Sequence, residues 1–274
     1  CLATARGRYI EWLDSDDMYQ PDALAARRAV MDQHPNVGLV YGACEIIDET
    51  GRRLPDWPMP FAEDTIQRGH EAFGELVLAN TITTSTVLAL RECHEQAGLF
   101  ATDIGPSSTD WELWLRIALR ADVAYTARPI ARYRQHPHSI SAATSTTGER
   151  LRCDIRVIRR IFAMERARIP DAEALHRRAR AALGVKALLR SGDAFTLDRR
   201  GAALTAACQS FRAVPSLLRH AQSWGALLSI LLGLESAQYR CSKYLLEHLY
   251  EPLHGTRYGM RIQKLAQPNP EWEE

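Results

Sequence analysis

Three carboxylates stand directly after an apolar run near the start of the chain. Residues 9–13, Tyr-Ile-Glu-Trp-Leu, predict a buried strand, and Asp14, Asp16 and Asp17 follow it. Burying three carboxylates without counter-charge would be costly, so we expect them at the carboxyl end of the strand, where open α/β sheets bind ligands. Such a cluster suits a hard divalent cation that also holds a phosphate. The alternative is a solvated acidic turn before a helix.

The first half of the chain predicts the elements that would position these carboxylates. Pro21 can occupy the first turn of a helix that ends at His34-Pro35. Apolar and β-branched runs predict strands at 37–41, 84–90, 123–125 and 130–134. Helical patterns cover 70–78, 91–97 before Gly98, and 110–121. The proline-rich stretch 52–64 and the Ser/Thr-rich stretch 135–147 predict irregular loops.

The second half of the chain has a different character. Its helical patterns run through 149–168, 171–191, 197–212, 215–233 and 235–250, without a convincing strand. We therefore predict a separate all-helical module. Its most apolar stretch, 224–234, is too short to cross a bilayer. That stretch predicts either a buried helix or an interfacial membrane or partner-binding helix, with arginines available to anionic headgroups.

Composition limits the class of protein. The 274 residues are 46% hydrophobic and 24% charged, and the net charge of +1 gives no global reason to bind nucleic acid. Six scattered cysteines without a Cys-x-x-Cys pair fit a reduced, cytoplasmic protein. No signal peptide or membrane span is predicted. Residues 2–7 resemble the end of a helix stopped by Gly7, so we expect further sequence before Cys1.

The motifs occur in an order that resembles one known family. After the first strand come Leu-Asp-Ser-Asp-Asp (13–17), Pro-Asp (21–22), Ser-Thr-Val (85–87), Gly-Leu-Phe (98–100), Thr-Asp-Trp-Glu-Leu-Trp-Leu-Arg (109–116) and Tyr-Arg-Gln-His-Pro-His-Ser-Ile-Ser (133–141). Over residues 3–141 this order resembles the second half of a family 2 glycosyltransferase domain. The resemblance implies an α/β fold with a GT-A-type (Rossmann-like) mixed sheet, incomplete at its N-terminus, in residues 1–145. An all-helical C-terminal module follows in residues 146–274.

In this family an Asp-x-Asp motif at a strand end binds the nucleotide-sugar donor with Mn²⁺ or Mg²⁺. The resemblance implies Asp16 as the direct metal ligand, with Asp14 nearer the ribose or a metal-bound water. His136 is a further candidate ligand for the metal or the diphosphate. Arg134 is a candidate donor-binding residue, since arginine pairs with phosphate oxygens. Asp17 either adjoins the donor site or caps the next helix.

The resemblance also implies that Asp110 is the catalytic base. In inverting transfer the acceptor hydroxyl loses its proton as it attacks the anomeric carbon, and a positioned carboxylate takes that proton. Thr109 stands where the family commonly has Glu. The same residues fit a capping box, with Thr109 as N-cap and Glu112 at N3. Trp111 and Trp114 are either core residues or a platform for a sugar.

The sequence therefore predicts an inverting glycosyltransferase that uses a nucleotide-sugar donor and a hydroxyl acceptor on a glycan, a lipid-linked sugar or a protein. Surface polysaccharide or glycoconjugate synthesis is the expected context. We expect a cytoplasmic protein, with the helical module available for peripheral contact at the inner face of the membrane. Two other interpretations are a non-catalytic fragment or pseudoenzyme that acts as a binding or scaffold module, and a metal-dependent phosphatase or nuclease. The latter would need further ligands near Asp16.

Overall fold

The computed structural model describes residues 4–57, 59–146, 149–196, 200–213, 215–219, 221–233, 241 and 244. The strands are β1 (Tyr9–Glu11), β2 (Met18–Tyr19), β3 (Val37–Ile47), β4 (Thr65–Gln67), β5 (Leu88–Leu90) and β6 (Asp122–Arg134). The helices are α1 (Ala23–Gln33), α2 (Gly69–Leu76), α3 (Arg91–Ala97), α4 (Thr109–Ala118), α5 (Ile140–Thr146), α6 (Glu149–Met164), α7 (Ala172–Thr196), α8 (Arg200–Ala213) and α9 (Ala221–Leu232). Short 3₁₀ turns lie at Thr84–Thr86, Arg166–Arg168 and Pro215–Arg219.

The strands form one mixed sheet in the order β1-β5-β3-β6-β2, and β4 pairs with the first part of β6. β3 and β6 run parallel, while β5 is antiparallel to both β1 and β3. It follows that β1, β3 and β6 all point the same way. Their carboxyl ends therefore meet at one edge of the sheet, where the residues that follow β1 and β6 can come together.

β3 and β6 are each longer than the sequence indicated. The predicted strand 37–41 continues to Ile47, and the two predicted strands 123–125 and 130–134 form one strand. The register between β3 and β6 shifts around Ala43, opposite Pro129. Such an irregularity accommodates a proline, which cannot donate to the ladder, without ending the pairing.

Helix α4 is the centre of the main core. Trp111 and Trp114 are 1% and 0% exposed, and they belong to a cluster that spans the sheet, α2, α4 and α6. The indole N–H of Trp111 donates to the carbonyl oxygen of Leu76 over 2.7 Å. Both tryptophans are therefore core residues, and the alternative of a sugar platform is wrong for this conformation.

The capping box predicted at the start of α4 does not form. The N-cap residue is Ser108, in a left-handed conformation with φ of 67°, so Thr109 lies inside the first turn. The Glu112 carboxylate is fully buried and accepts hydrogen bonds from Arg116 (2.9 Å) and Arg160 (3.1 Å). A buried carboxylate needs such partners. Glu112 thus joins α4 to α6 instead of capping a helix.

The second half of the described chain is helical, as predicted, and α6, α7, α8 and α9 pack in sequence order. One loop prediction was wrong, because residues 140–146 within the stretch 135–147 form α5. The Ser139 hydroxyl accepts from the N–H of Ala142 over 3.1 Å and so caps that helix. The helix predicted at 235–250 lies outside the described residues except for two positions. The division at residues 145 and 146 stays a prediction.

Among the helices that the structure describes, none has both the length and the apolar character required to cross a bilayer.

Candidate active site

The acidic turn after β1 is fixed through Asp17. Its N–H donates to the carbonyl oxygen of Asp14 over 3.1 Å, and its side chain is only 8% exposed. One carboxylate oxygen accepts from the Ser85 hydroxyl (2.6 Å), the other from the N–H of Arg134 (2.8 Å). Burial raises the pKa of Asp17 despite these hydrogen bonds. Asp17 therefore links the turn to two other parts of the sheet edge, and it does not cap α1, whose N-cap is Asp22.

Arg134, the last residue of β6, binds backbone at the same edge. Its Nε donates to the carbonyl oxygen of Asp16 over 2.8 Å. Its Nη1 donates to the carbonyl oxygens of Asp48 (3.0 Å) and Glu49 (3.1 Å), which follow β3. These contacts use the guanidinium to hold two loops together, and they leave its positive charge beside the acidic turn.

Asp16 and His136 face each other across this edge. The Nε2 atom of His136 lies 2.9 Å from Oδ2 of Asp16, and both side chains are partly exposed. His138 is exposed, and its ring centroid lies 6.5 Å from that of His136. The structure thus brings together two of the three side chains predicted as metal ligands, from opposite ends of the first half of the chain.

Asp14 lies where several negative charges converge. Although its side chain reaches solvent, partial burial and then the charges of Asp17, Asp16 and Asp110 raise its pKa to about 6. Asp110 is thus one of three negatively charged residues whose repulsion acts on Asp14. A cation bound among these carboxylates would relieve that repulsion.

Asp110 lies in the first turn of α4, and its side chain is directed at the segment before β5. Its Oδ2 atom accepts from the Thr84 hydroxyl over 3.0 Å and from the Asn80 amide over 3.4 Å. Asp110 is half-buried. No hydrogen bond to its Oδ1 atom comes from the part of the chain that the structure describes.

The segment that connects Asp110 to the acidic turn was not predicted from the sequence. Residues 84–86 were predicted as strand but form a 3₁₀ turn, and only 88–90 pair in the sheet. Ser85, fully buried, accepts from the N–H of Asp14 (3.1 Å) as well as donating to Asp17. The signal in the sequence was the run of hydroxyl residues 83–86, but three of the four are β-branched threonines, which favoured a strand.

The residues at this edge fit a divalent cation shared with a diphosphate. Mg²⁺ and similar ions take one or two carboxylates and complete their shell with phosphate oxygens and water. Asp16 and Asp14 would supply the carboxylates, and His136 would add a nitrogen beside Asp16. Asp17 has both oxygens engaged already. Within the described ranges, no group of three or more His, Cys, Asp or Glu side chains is arranged as a complete metal site.

The overall fold has a counterpart among solved structures. Staphylococcus aureus TarS, residues 1–349, superposes with a TM-score of 0.53 and 14% sequence identity, covering 91% of this chain and 70% of TarS 1–349. At this identity the likeness concerns the fold alone. The fold and the acidic edge thus define an α/β protein of the GT-A type, as predicted from the sequence.

The family follows from the sequence match. Residues 2–164 match the model of the family described as "Glycosyltransferase like family 2". The match covers more than half of the chain, so the chain belongs to the family 2-like glycosyltransferases. The family predicted from the motifs is thereby confirmed.

The curated relatives are distant and much longer. An uncharacterized glycosyltransferase of Rickettsia felis is 25% identical over 153 residues, which are 54% of this chain and 24% of the relative. An uncharacterized protein of Mycobacterium bovis is 26% identical over 140 residues, which are 51% of this chain and 38% of the relative. The chain therefore spans well under half the length of these relatives.

Proposed function

We propose that this protein is an inverting glycosyltransferase that moves a sugar from a nucleotide-diphosphate donor to a hydroxyl acceptor with the help of a divalent cation. One observation carries the proposal: the turn at residues 84–86 binds both the Asp110 carboxylate and the acidic turn, and we call the space between these two groups the cleft. The Asp110 charge contributes to the raised pKa of Asp14. The consecutive residues Thr84 and Ser85 contact Asp110 and the acidic turn respectively. Family membership supports the class of reaction.

The donor side of the cleft is the sheet edge after β1 and β6. In the proposal Asp16, with Asp14 and His136, holds Mn²⁺ or Mg²⁺ together with the donor diphosphate. When bound, the ion neutralises negative charge that develops on the departing diphosphate. Asp17 and Arg134 shape this side through their contacts with the turn. The guanidinium of Arg134 also offsets part of the negative charge at the edge.

The acceptor side is the start of α4. The acceptor oxygen forms a bond to the anomeric carbon while the bond from that carbon to the diphosphate oxygen breaks, and the configuration inverts. Asp110 takes the proton that the acceptor hydroxyl loses. Because Thr84 and Asn80 both bind Oδ2, the Oδ1 atom is the proposed proton acceptor. A glycan, a lipid-linked sugar or a protein hydroxyl, in surface polysaccharide or glycoconjugate synthesis, is the proposed acceptor.

A panel of donors tests this proposal. We expect the intact protein with Mn²⁺ to release nucleoside diphosphate from at least one of a set of UDP-, GDP- and dTDP-sugars, and to lose that activity with EDTA. The matched control is the same panel without protein. If no nucleotide sugar binds or reacts in the presence of Mn²⁺, the transferase proposal is wrong. A non-catalytic binding or scaffold module would then be the better interpretation.

We further propose that the helical module contacts an anionic membrane surface, at the cytoplasmic face. One side of α9 is apolar and open to solvent, with exposures between 47% and 68% at Trp224, Leu228, Leu231 and Leu232. Their spacing places them on one face of the helix. The other face of α9 packs on α8, where Ile230 contacts Ala203 and Ala207.

The apolar surface continues beyond α9. The indole N–H of Trp224 donates to the carbonyl oxygen of Leu218 over 2.9 Å, and the Phe211 ring stacks on Trp224 at 6.1 Å. Leu218 is itself 42% exposed. Arg212 and Arg219, which adjoin Phe211 and Leu218, are exposed. Residues 199–234 include four arginines and not one Asp or Glu. This charge pattern favours anionic lipid over a neutral partner.

Vesicle sedimentation tests the membrane contact. We expect the protein to sediment with vesicles of phosphatidylcholine and phosphatidylglycerol, and less with phosphatidylcholine alone. The double variant Leu228→Gln/Leu231→Gln should bind about tenfold more weakly, since it removes two side chains that would be buried in lipid. The matched control is Leu24→Gln, an exposed leucine of α1. Concentration-dependent dimers that the double variant abolishes, without vesicle binding, would assign the surface to a second copy of the chain.

A further inference from the structure

The carboxylate of Asp110 is held through one oxygen by two side chains. Thr84 donates to Oδ2 over 3.0 Å and Asn80 donates to the same atom over 3.4 Å. Asn80 is itself fixed, because its own side-chain oxygen accepts from the N–H of Ile82 over 3.1 Å. Two donors on one oxygen restrict rotation of the carboxylate. The second oxygen, Oδ1, has no donor among the residues that the structure describes, so its lone pairs can take an incoming proton.

The turn that carries Thr84 is rigid. Thr86 closes it with its N–H (2.9 Å) and its hydroxyl (2.7 Å), both donated to the carbonyl oxygen of Thr83. From α1, the fully buried Arg27 donates to the carbonyl oxygens of Thr86 (3.2 Å) and Val87 (2.9 Å). The same guanidinium pairs with Glu11 at 3.0 Å. Arg27 thus fixes the turn to β1, the strand from which the acidic turn follows.

The next residue of the turn reaches the other side of the cleft. Ser85 binds the N–H of Asp14 and the carboxylate of Asp17, as described above. Two consecutive hydroxyl side chains therefore connect the start of α4 to the acidic turn. This short segment of backbone therefore contacts both the Asp110 carboxylate and the Asp17 carboxylate.

We propose that Thr84, assisted by Asn80, is a positioning residue for the transfer reaction. Its hydroxyl orients Asp110 so that Oδ1 faces the acceptor hydroxyl. Ser85, on the same turn, keeps that oxygen at a fixed distance from the donor end of the cleft. This inference rests on the proposed function, because it takes Asp110 as the base. A base displaced by about 1 Å can lose on the order of 10²-fold in rate.

The substitution Thr84→Val tests the inference, because valine keeps the shape of threonine and removes the hydroxyl. With the nucleotide sugar selected by the donor panel, we expect kcat to fall roughly 10- to 100-fold. The KM for donor should stay within about twofold, since the acidic turn is untouched. Thr84→Ser restores the hydroxyl and should restore most of the rate. Thr83→Val is the matched control, because the Thr83 hydroxyl lies 3.7 Å from Cys44 Sγ and does not contact Asp110.

A second variant keeps the test decisive if Thr84→Val folds poorly. Asn80→Asp retains the acceptor for the N–H of Ile82 but places a like charge beside Asp110, so kcat should fall at least as much. Unchanged kcat in both variants would overturn the inference. A loss of Mn²⁺-dependent UDP binding in parallel with the loss of kcat would also overturn the inference, because it would show that Thr84 and Asn80 have a merely structural role. If Asp110→Asn also keeps its rate, the assignment of Asp110 as the base is wrong as well. If Asp110→Asn is inactive while Thr84→Val and Asn80→Asp keep their rates, only the positioning inference fails.

Discussion

Asp110→Asn should lower kcat for sugar transfer by about 10²–10⁴-fold, which is the usual contribution of a general base. An amide cannot take the proton from the acceptor hydroxyl. It does keep an oxygen for the hydrogen bonds from Thr84 and Asn80, so we expect the fold and the orientation of the side chain to survive. Steady-state rates with the selected donor measure the effect.

Donor binding should be retained in the same variant. Asp110 is one of the charges that raise the pKa of Asp14 to about 6. Removing that charge lowers the pKa of Asp14 and leaves Asp14, Asp16 and His136 in place, so Mn²⁺-dependent UDP binding should be retained. Calorimetric titration with UDP and Mn²⁺ measures this.

Asp122→Asn is the matched control for this prediction. Asp122 is also a half-buried aspartate, and its carboxylate accepts from the N–H of Gly69 over 3.0 Å, a bond that asparagine keeps. It begins β6, after α4 has ended. We expect the Asp122→Asn variant to transfer sugar at the same rate as the unmodified protein. A full rate in Asp110→Asn would show that another group, or water, takes the proton.

The positions of the acidic residues were predictable, because a carboxylate that follows an apolar strand is costly to bury and must lie at the end of that strand. The strand itself was predicted wrongly as buried over 9–13: β1 spans only Tyr9–Glu11, lies at the side of the sheet and buries only Ile10. Asp14 and Asp16 nevertheless lie beyond its carboxyl end, as predicted. The contact between Asp16 and His136 joins residues 120 positions apart. Only the family resemblance suggested it, since no local pattern relates two residues that distant.

The supporting contacts were not predictable from local patterns. Thr84 and Ser85 have the β-branched and small polar character of a strand edge, yet buried hydrogen bonds to Asp110 and Asp17 hold them in a turn. Arg27 lies in α1, where an arginine would ordinarily be solvated, but it is fully buried and binds the same turn. Tertiary contacts overrode local propensity at each of these positions.

The same cause explains the errors in the fold. The stretch 135–147 is rich in Ser and Thr, which favour loops, but the Ser139 cap and the packing of α5 on α6 make part of it helical. Two strands were predicted at 123–125 and 130–134, but they form one strand in which a shift of register against β3 accommodates Pro129. The apolar periodicity of α4 and α6 was strong enough to predict both helices, because burial decides such segments.

Asp16→Asn should remove metal-dependent donor binding and reduce turnover by on the order of 10²–10³-fold, the cost of losing one group that stabilises developing charge. The substitution withdraws the carboxylate that lies beside His136. It keeps the backbone carbonyl of residue 16 that accepts from Arg134, so the turn itself should remain. Asp32→Asn is the matched control. Asp32 pairs with Tyr9, the first residue of β1, at the opposite end of that strand.

Thermal unfolding measures ligand binding at the same site without requiring turnover. A ligand that binds only the folded protein raises the melting temperature, so Mn²⁺ with UDP should stabilise the unmodified protein and Asp32→Asn, but not Asp16→Asn. The effect should weaken below about pH 6, because the raised pKa of Asp14 means that the cation must then displace a proton. Undiminished stabilisation of Asp16→Asn would place the cation elsewhere. Protonation of Asp14 and loss of the Asp16 charge both reduce the negative charge of the turn, so both should weaken Mn²⁺ binding.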